Sequence, residues 1–259
     1  MDLGIKGKKA VVCASSKGLG RGCAEALAAE GVNLVINART ASTLEQTAKE
    51  IAGKYGVSVT PVAGDITDEG LRSELVAACP DADILVNNAG GPPGKMWTSF
   101  TREDLESALE ANLLTPVFLM QALVPGMMER GWGRVVNITS QSVKAPIPIL
   151  GLSNTARTGL TGFVAGMSRQ VASKGVIVNN LLPGTHDTDR IASFDIAEVE
   201  KTGKTMEQVR AERAASLPVK RYGTPEEFGA MCAFLCSQYA GNIVGQNILL
   251  DGGGTNVTI

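Results

Sequence analysis

The chain has 259 residues, 44% of them hydrophobic and 19% charged, and its 30 glycines follow no triplet repeat, which excludes a disordered chain and a collagen-like rod. With 24 Lys plus Arg against 26 Asp plus Glu, the formal charge of −2 leaves no electrostatic footprint for a polyanion, so no nucleic-acid partner is expected. Five cysteines without a C-x-x-C pair and without a secretory leader read as a reduced, cytoplasmic protein, and a single histidine, His186, cannot build a histidine-based metal site.

Lys9 to Ala14 is an apolar run ahead of a glycine-rich turn and predicts a strand. Gly18 to Glu30, with Leu19, Cys23, Ala26 and Leu27 at helical spacing, predicts the helix that follows. The alternation continues with a strand at Asn33 to Ala38, a helix at Ala41 to Tyr55, a strand at Val57 to Ala63, a helix at Thr67 to Cys79 and a strand at Asp83 to Asn87. Thr101 to Arg130 is mainly helical despite Pro116, Gly133 to Thr139 is a strand, Leu152 to Lys174 a helix and Val176 to Leu182 a strand. The longest apolar run, Leu113 to Pro125, is interrupted by Thr115, Pro116 and Gln121 and falls short of the roughly 20 residues of a bilayer span, so no membrane helix is expected. Residues 185–217 break the rhythm with a polar stretch that reads as a mobile insertion covering the substrate. Thr224 to Ser237 then resumes as a helix, in which Cys232 and Cys236 read as small core residues, and Asn247 to Leu250 closes as a strand.

Short β-α alternation of this kind specifies an α/β fold, a single doubly wound, Rossmann-type parallel sheet with helices on both faces, here one domain over residues 1–259. Ligands of such sheets bind beyond the carboxyl ends of the strands. The first of those ends carries Ser15, Ser16, Lys17, Gly18, Leu19 and Gly20, where glycines admit a pyrophosphate to the N-H groups of a helix N-terminus. The end of the second strand holds Ala38 and Arg39 in place of the carboxylate that would take an unphosphorylated ribose. Lys17 and Arg39 are expected to converge on a 2′-phosphate, which favours NADP(H) over NAD(H).

Several ordered motifs resemble those of the short-chain dehydrogenase/reductase family over nearly the whole chain. The T-G-x-x-x-G-x-G turn reads Cys13 to Gly20 with its first two residues changed, and Asn87-Asn88-Ala89-Gly90 matches the N-N-A-G after the fourth strand. Pro183-Gly184 with Thr188 matches P-G-x-x-x-T, and Gly245-Gln246 through Gly253 matches the C-terminal strand. Divergent members similar to β-ketoacyl-acyl-carrier-protein reductases come nearest. The resemblance implies that Asp65 and Ile66 contact adenine, that Asn88, Ala89, Gly90, Pro183, Gly184 and Thr188 flank the cofactor, and that Asn112 holds a relay water. It also implies a small-molecule carbonyl or alcohol as substrate and a homotetramer or dimer. Gly159, Gly162 and Gly166 on the Leu152 to Lys174 helix would admit another helix there.

The family's reaction needs a serine, a tyrosine thirteen residues later and a lysine four beyond that. Ser140 fits the first, but the next two places hold Ser153 and Arg157. A tyrosine starts at a pKa of about 10, whereas an alkanol lies well above it and is a far poorer proton donor. An arginine stays charged but does not pass a proton as an ammonium does. Lys144, four residues after Ser140, and His186, just beyond Gly184, are the substitutes the sequence offers. Ser140 is expected to donate to the developing oxyanion. A nucleotide-binding homologue without turnover, acting as a sensor or partner subunit, is the alternative. Two decoys drop out: Thr202-Gly203-Lys204-Thr205 lacks the preceding glycine and strand of a P-loop, and no serine sits in G-x-S-x-G.

Overall fold

The computed structural model describes residues 1–258. Strands β1 (Lys9–Val12), β2 (Asn33–Ala38), β3 (Val59–Ala63), β4 (Ile84–Asn87), β5 (Gly133–Ile138), β6 (Val176–Pro183) and β7 (Asn247–Leu250) form one parallel sheet in the order β3-β2-β1-β4-β5-β6-β7. The helices are α1 (Gly18–Ala29), α2 (Ala41–Tyr55), α3 (Glu69–Ala78), α4 (Arg102–Leu109), α5 (Thr115–Glu129), α6 (Gly151–Val171), α7 (Asp189–Thr202), α8 (Met206–Ser216) and α9 (Pro225–Leu235). Side chains alternate across the strands and so feed two separate cores. Ala10, Val12, Ile84, Val86 and Val136 pack with α1, α2 and α9, while Val11, Leu85 and Val135 pack with α3, α5 and α6.

Two glycines bring α1 and α9 into backbone contact. A Cβ on Gly22 would lie 2.2 Å from the Pro225 carbonyl oxygen, and one on Gly229 would lie 2.2 Å from that of Gly22. The same crossing buries Cys23, Cys232 and Cys236 as free thiols, in the core role expected for the last two.

On the far side of the sheet an asparagine ladder crosses four strands. Asn87 Nδ2 donates to Asn137 Oδ1 (2.8 Å), Asn137 Nδ2 to Asn180 Oδ1 (3.2 Å) and Asn180 Nδ2 to Asn247 Oδ1 (2.8 Å). The four are direct register partners in β4, β5, β6 and β7.

Two expectations are corrected. Helices α4 and α5 are continuous through a π-turn at Glu110–Leu114, giving a 28-residue helix, Arg102–Glu129, that is long and apolar enough by length and composition to cross a membrane. Pro116 does not stop it, because it directly follows the π-turn, where the helical hydrogen-bond ladder is already shifted. Its apolar stripe, Leu119, Met120, Leu123, Val124 and Met127, is buried against the chain's own sheet. The stretch 185–217, expected as a mobile insertion, contains the helical pair α7–α8. Thr188 caps α7, Gly203 at φ +69° ends it, and Thr205 with Gln208 forms a capping box that starts α8. The P-loop-like Thr202 to Thr205 is therefore a helix-helix connection. The fully buried Asp195 joins the pair, accepting from Arg213 Nε (2.7 Å) and from the Tyr222 hydroxyl (3.2 Å).

Candidate active site

The strand order reverses between β1 and β4, and the turns after β1, β4, β5 and β6 meet at that end of the sheet. Gly20 is required in the β1 turn, since a Cβ there would fall 2.2 Å from the Ala14 carbonyl oxygen. Ala14 itself sits at φ +46°, a left-handed conformation that costs an alanine energy. Asn88 Nδ2 donates to Ala14 O (3.2 Å) and ties the β4 turn to the β1 turn. Ser15 is a structural peg, its buried hydroxyl donating to Val12 O at 2.8 Å. Ser16, Lys17, Gly18 and Leu19 enter α1, with Gly18 at φ +58° and close to the Thr188 methyl.

The two cations expected to converge lean on different carboxylates. Lys17 Nζ pairs with the exposed Asp189 carboxylate at 2.5 Å, reaching α7. Arg39 is exposed beside Asp65, whose carboxyl is held below the usual range first by hydrogen bonds from Thr67 (3.0 and 2.8 Å) and then by the Arg39 charge. Ile66 is buried beneath. Exposed ion pairs such as that of Lys17 hold weakly, so its ammonium is free to turn to a phosphate.

Ser140, Ser153, Arg157 and Asn112 are brought together. The Arg157 guanidinium, 7% exposed, donates from Nε to Ser153 Oγ (3.2 Å), from Nη1 to Ile138 O (2.7 Å) and from Nη2 to Ala89 O (3.4 Å). It thus spans the ends of β4 and β5, next to Ser140, whose Oγ accepts from Ser142 N (3.1 Å) and keeps its proton to donate. Burial and the neighbouring Arg190 charge push the Arg157 pKa down to about 10. Asn112 sits in the π-turn, donates to Gly90 O (3.5 Å), and leaves Oδ1 buried and without a partner among the described residues. That acceptor suits a bound water.

Lys144 follows Ser140 on a short 3₁₀ turn, half-buried and without a carboxylate partner among the described residues. His186 is elsewhere. It is 4% exposed, stands edge-on to Phe228 of α9 at 5.2 Å, and directs Nδ1 at Gly184 O (3.4 Å), so its imidazole faces the core instead of overhanging the cofactor end. Burial lowers its pKa below the ordinary histidine value. Pro183 ends β6, and Gly184 is pressed against Asp251 and Gln141, where a Cβ would lie 2.4 Å from Asp251 Cβ. Thr188 Oγ1 donates to His186 O (3.3 Å) while capping α7. Sequence reasoning missed Arg190, two residues beyond Thr188, which donates from Nη2 to Pro92 O (2.6 Å) and stacks on Phe194 at 4.7 Å.

Known proteins share the fold and much of the sequence. The family described as enoyl-(acyl carrier protein) reductase matches residues 13–255. The chain is 32% identical to the 3-oxoacyl-(acyl-carrier-protein) reductase of Aquifex aeolicus over 98% of its own length and 99% of the relative's. It is 30% identical to the acetoacetyl-CoA reductase of Cupriavidus necator over 94% and 96% of the two chains. Among solved structures, the L-sorbose reductase of Gluconobacter frateurii, complexed with NADPH and L-sorbose, superposes with a TM-score of 0.94 at 30% identity, covering 99% of this chain and all of that one. A phosphate-binding turn at a strand-order reversal, shared with these reductases over almost the full length, places the chain in the short-chain dehydrogenase/reductase family of NAD(P)-dependent oxidoreductases.

Proposed function

We propose that the protein uses NADP(H) to reduce a small-molecule ketone, or to oxidise the matching alcohol, through a proton relay altered at two positions. The observation that carries this reading is the Ser140, Ser153 and Arg157 cluster at the ends of β4 and β5. It stands where the family's serine, tyrosine and lysine belong, with Arg157 hydrogen-bonded to Ser153 at 3.2 Å. Ser140 orients and stabilises the carbonyl oxygen, Arg157 ties the ends of β4 and β5 to Ser153 through its buried fork, and Asn112 holds a water in line. The exposed Arg39 and the weakly held Lys17 support binding of a 2′-phosphate. The bound cofactor supplies the hydride. The buried, free state of all five cysteines is in keeping with a reducing, cytoplasmic setting.

We also assign the outer faces of α4–α5 and α6 to a second copy of the chain, in a dimer or tetramer. Leu105, Leu114, Phe118 and Phe163 are exposed there, and Gly162 and Gly166 have nothing within 4 Å. The helical pair α7–α8 serves as the substrate cover of the single domain.

NADPH oxidation against a panel of ketones tests the reading. Turnover is expected, and saturable NADPH binding without turnover of any carbonyl or alcohol would make the chain a binding subunit instead. With a neutral ketone, the double variant Ser153→Tyr with Arg157→Lys should turn over at least tenfold faster, since a placed general acid contributes about 10² to 10⁴-fold. No gain in a folded, NADPH-binding double variant, together with loss of activity in Lys144→Ala, would move the relay to Lys144.

A further inference from the structure

Two guanidiniums flank the short Ala89 to Pro92 segment of the β4 turn, and neither has a carboxylate within 4 Å among the described residues. Arg157 reaches Ala89 O from one side, Arg190 reaches Pro92 O from the other, and Gly91 lets the Arg190 fork lie close, with Nη2 only 3.3 Å from where a Cβ would be. Arg157 uses three of its five N-H donors on Ser153, Ile138 and Ala89, and Arg190 uses one, on Pro92. Like charges so placed repel, which is one cause of the depressed Arg157 pKa. Arg134, also buried and without a carboxylate among the described residues, lies at the opposite end of the sheet, where it donates to three carbonyls and lies over the Trp132 ring.

The cofactor's pyrophosphate belongs to the β1 turn. Arg157 is fixed to the end of β5, two strands away in the sheet order, or about 10 Å at ordinary strand spacing. A second anion is therefore called for beside Ser140 and Ser153, and a planar fork pairs best with a carboxylate.

The geometry assigns to Arg157 and Arg190 a carboxylate-binding subsite, so that the substrate is an oxo acid or the corresponding hydroxy acid, with Arg190 as the specificity-determining residue. This rests on the oxidoreductase reading above for the word substrate, but not for the binding of the anion. Arg190 is carried on α7, so that helix holds the guanidinium that recognises the acid.

The test uses the whole protein saturated with NADP⁺ and calorimetric titration with pyruvate and acetoacetate, each beside its uncharged methyl ester. The acid of at least one pair should bind at least tenfold tighter than its ester. Arg190→Met should erase that difference while leaving the NADPH dissociation constant within about twofold, and Arg190→Lys should restore part of it. Equal binding of acid and ester by the unaltered protein, which needs no variant to fold, would overturn the subsite. So would an Arg190→Met protein that loses NADPH affinity instead, because the guanidinium would then serve the pyrophosphate. Preferential acid binding without any NADPH-dependent turnover would leave the subsite standing and sink the catalytic reading alone.

Discussion

Ala14 adopts φ +46° where the family's turn has a glycine, and the strain it stores is measurable. A left-handed alanine costs about 1 to 2 kcal/mol, partly offset by the about 0.5 to 1 kcal/mol that a glycine loses on ordering. Ala14→Gly should therefore stabilise the protein by about 0.5 to 1 kcal/mol and raise Tm by roughly 1 to 3 °C. A fall in Tm would mean that packing of the methyl outweighs the strain. His186 gives a second residue-scale prediction. Its folded pKa is depressed by burial, so the unfolded chain binds more protons once the pH falls below about 6.5, and stability declines from there through the folded value. Thermal unfolding at pH 7.5 and 5.5 should show that decline in the natural protein and a smaller one in His186→Gln. An equal slope in both would exclude the sole histidine as its source. Single residues were legible in the sequence where a motif forces their place, as for Gly20, Asn88 and Arg157. The inward turn of His186 was not, because it depends on Phe228, some forty residues further along the chain.

At the level of elements, β2, α2 and β7 lie where hydrophobic periodicity predicts, because strands buried on both faces and amphipathic helices leave strong patterns. The helices α7 and α8 escaped it since each buries a single side chain, Asp195 and Val209, and so shows little apolar stripe. Their signal was in the caps, Thr188, Gly203 and the Thr205/Gln208 box. With so little apolar burial, the pair depends on the polar hub at Asp195. Asp195→Ala should strip Arg213 and Tyr222 of their shared acceptor and cost about 3 kcal/mol of local stability. Hydrogen exchange should then quicken across 189–216 while amides of β1, β4 and β5 keep their protection. Uniform loss of protection would show that the pair is integral to the sheet's stability.

For the molecule as a whole, the doubly wound parallel sheet followed from alternation alone, whereas the outward faces did not, since exposure is a property of the assembled chain. The sequence drew attention to three glycines on α6. Gly159 is covered by Leu113 of the chain itself, with a Cβ position 3.3 Å away, but Gly162 and Gly166 are open. If a second copy lies there, Phe118→Glu with Phe163→Glu should yield a smaller species in light scattering at micromolar concentration, with NADPH affinity retained. A natural protein already monomeric under those conditions would dismiss the interface.

The asparagine ladder constrains how this sequence can drift. Asn137 donates to one neighbour and accepts from another, so Asn137→Leu strands the amide of Asn87 and the carbonyl of Asn180 at once, each at about 1 to 3 kcal/mol. Replacing several members together with apolar residues of similar shape is close to neutral, because no buried partner is left wanting. Single steps away from the ladder thus descend into a fitness valley that concerted ones avoid. In a double-mutant cycle, Asn87→Leu should be less harmful after Asn137→Leu than before it. Strict additivity would show that the four amides are independent passengers, each replaceable by ordinary stepwise substitution, and not an epistatic unit inherited together.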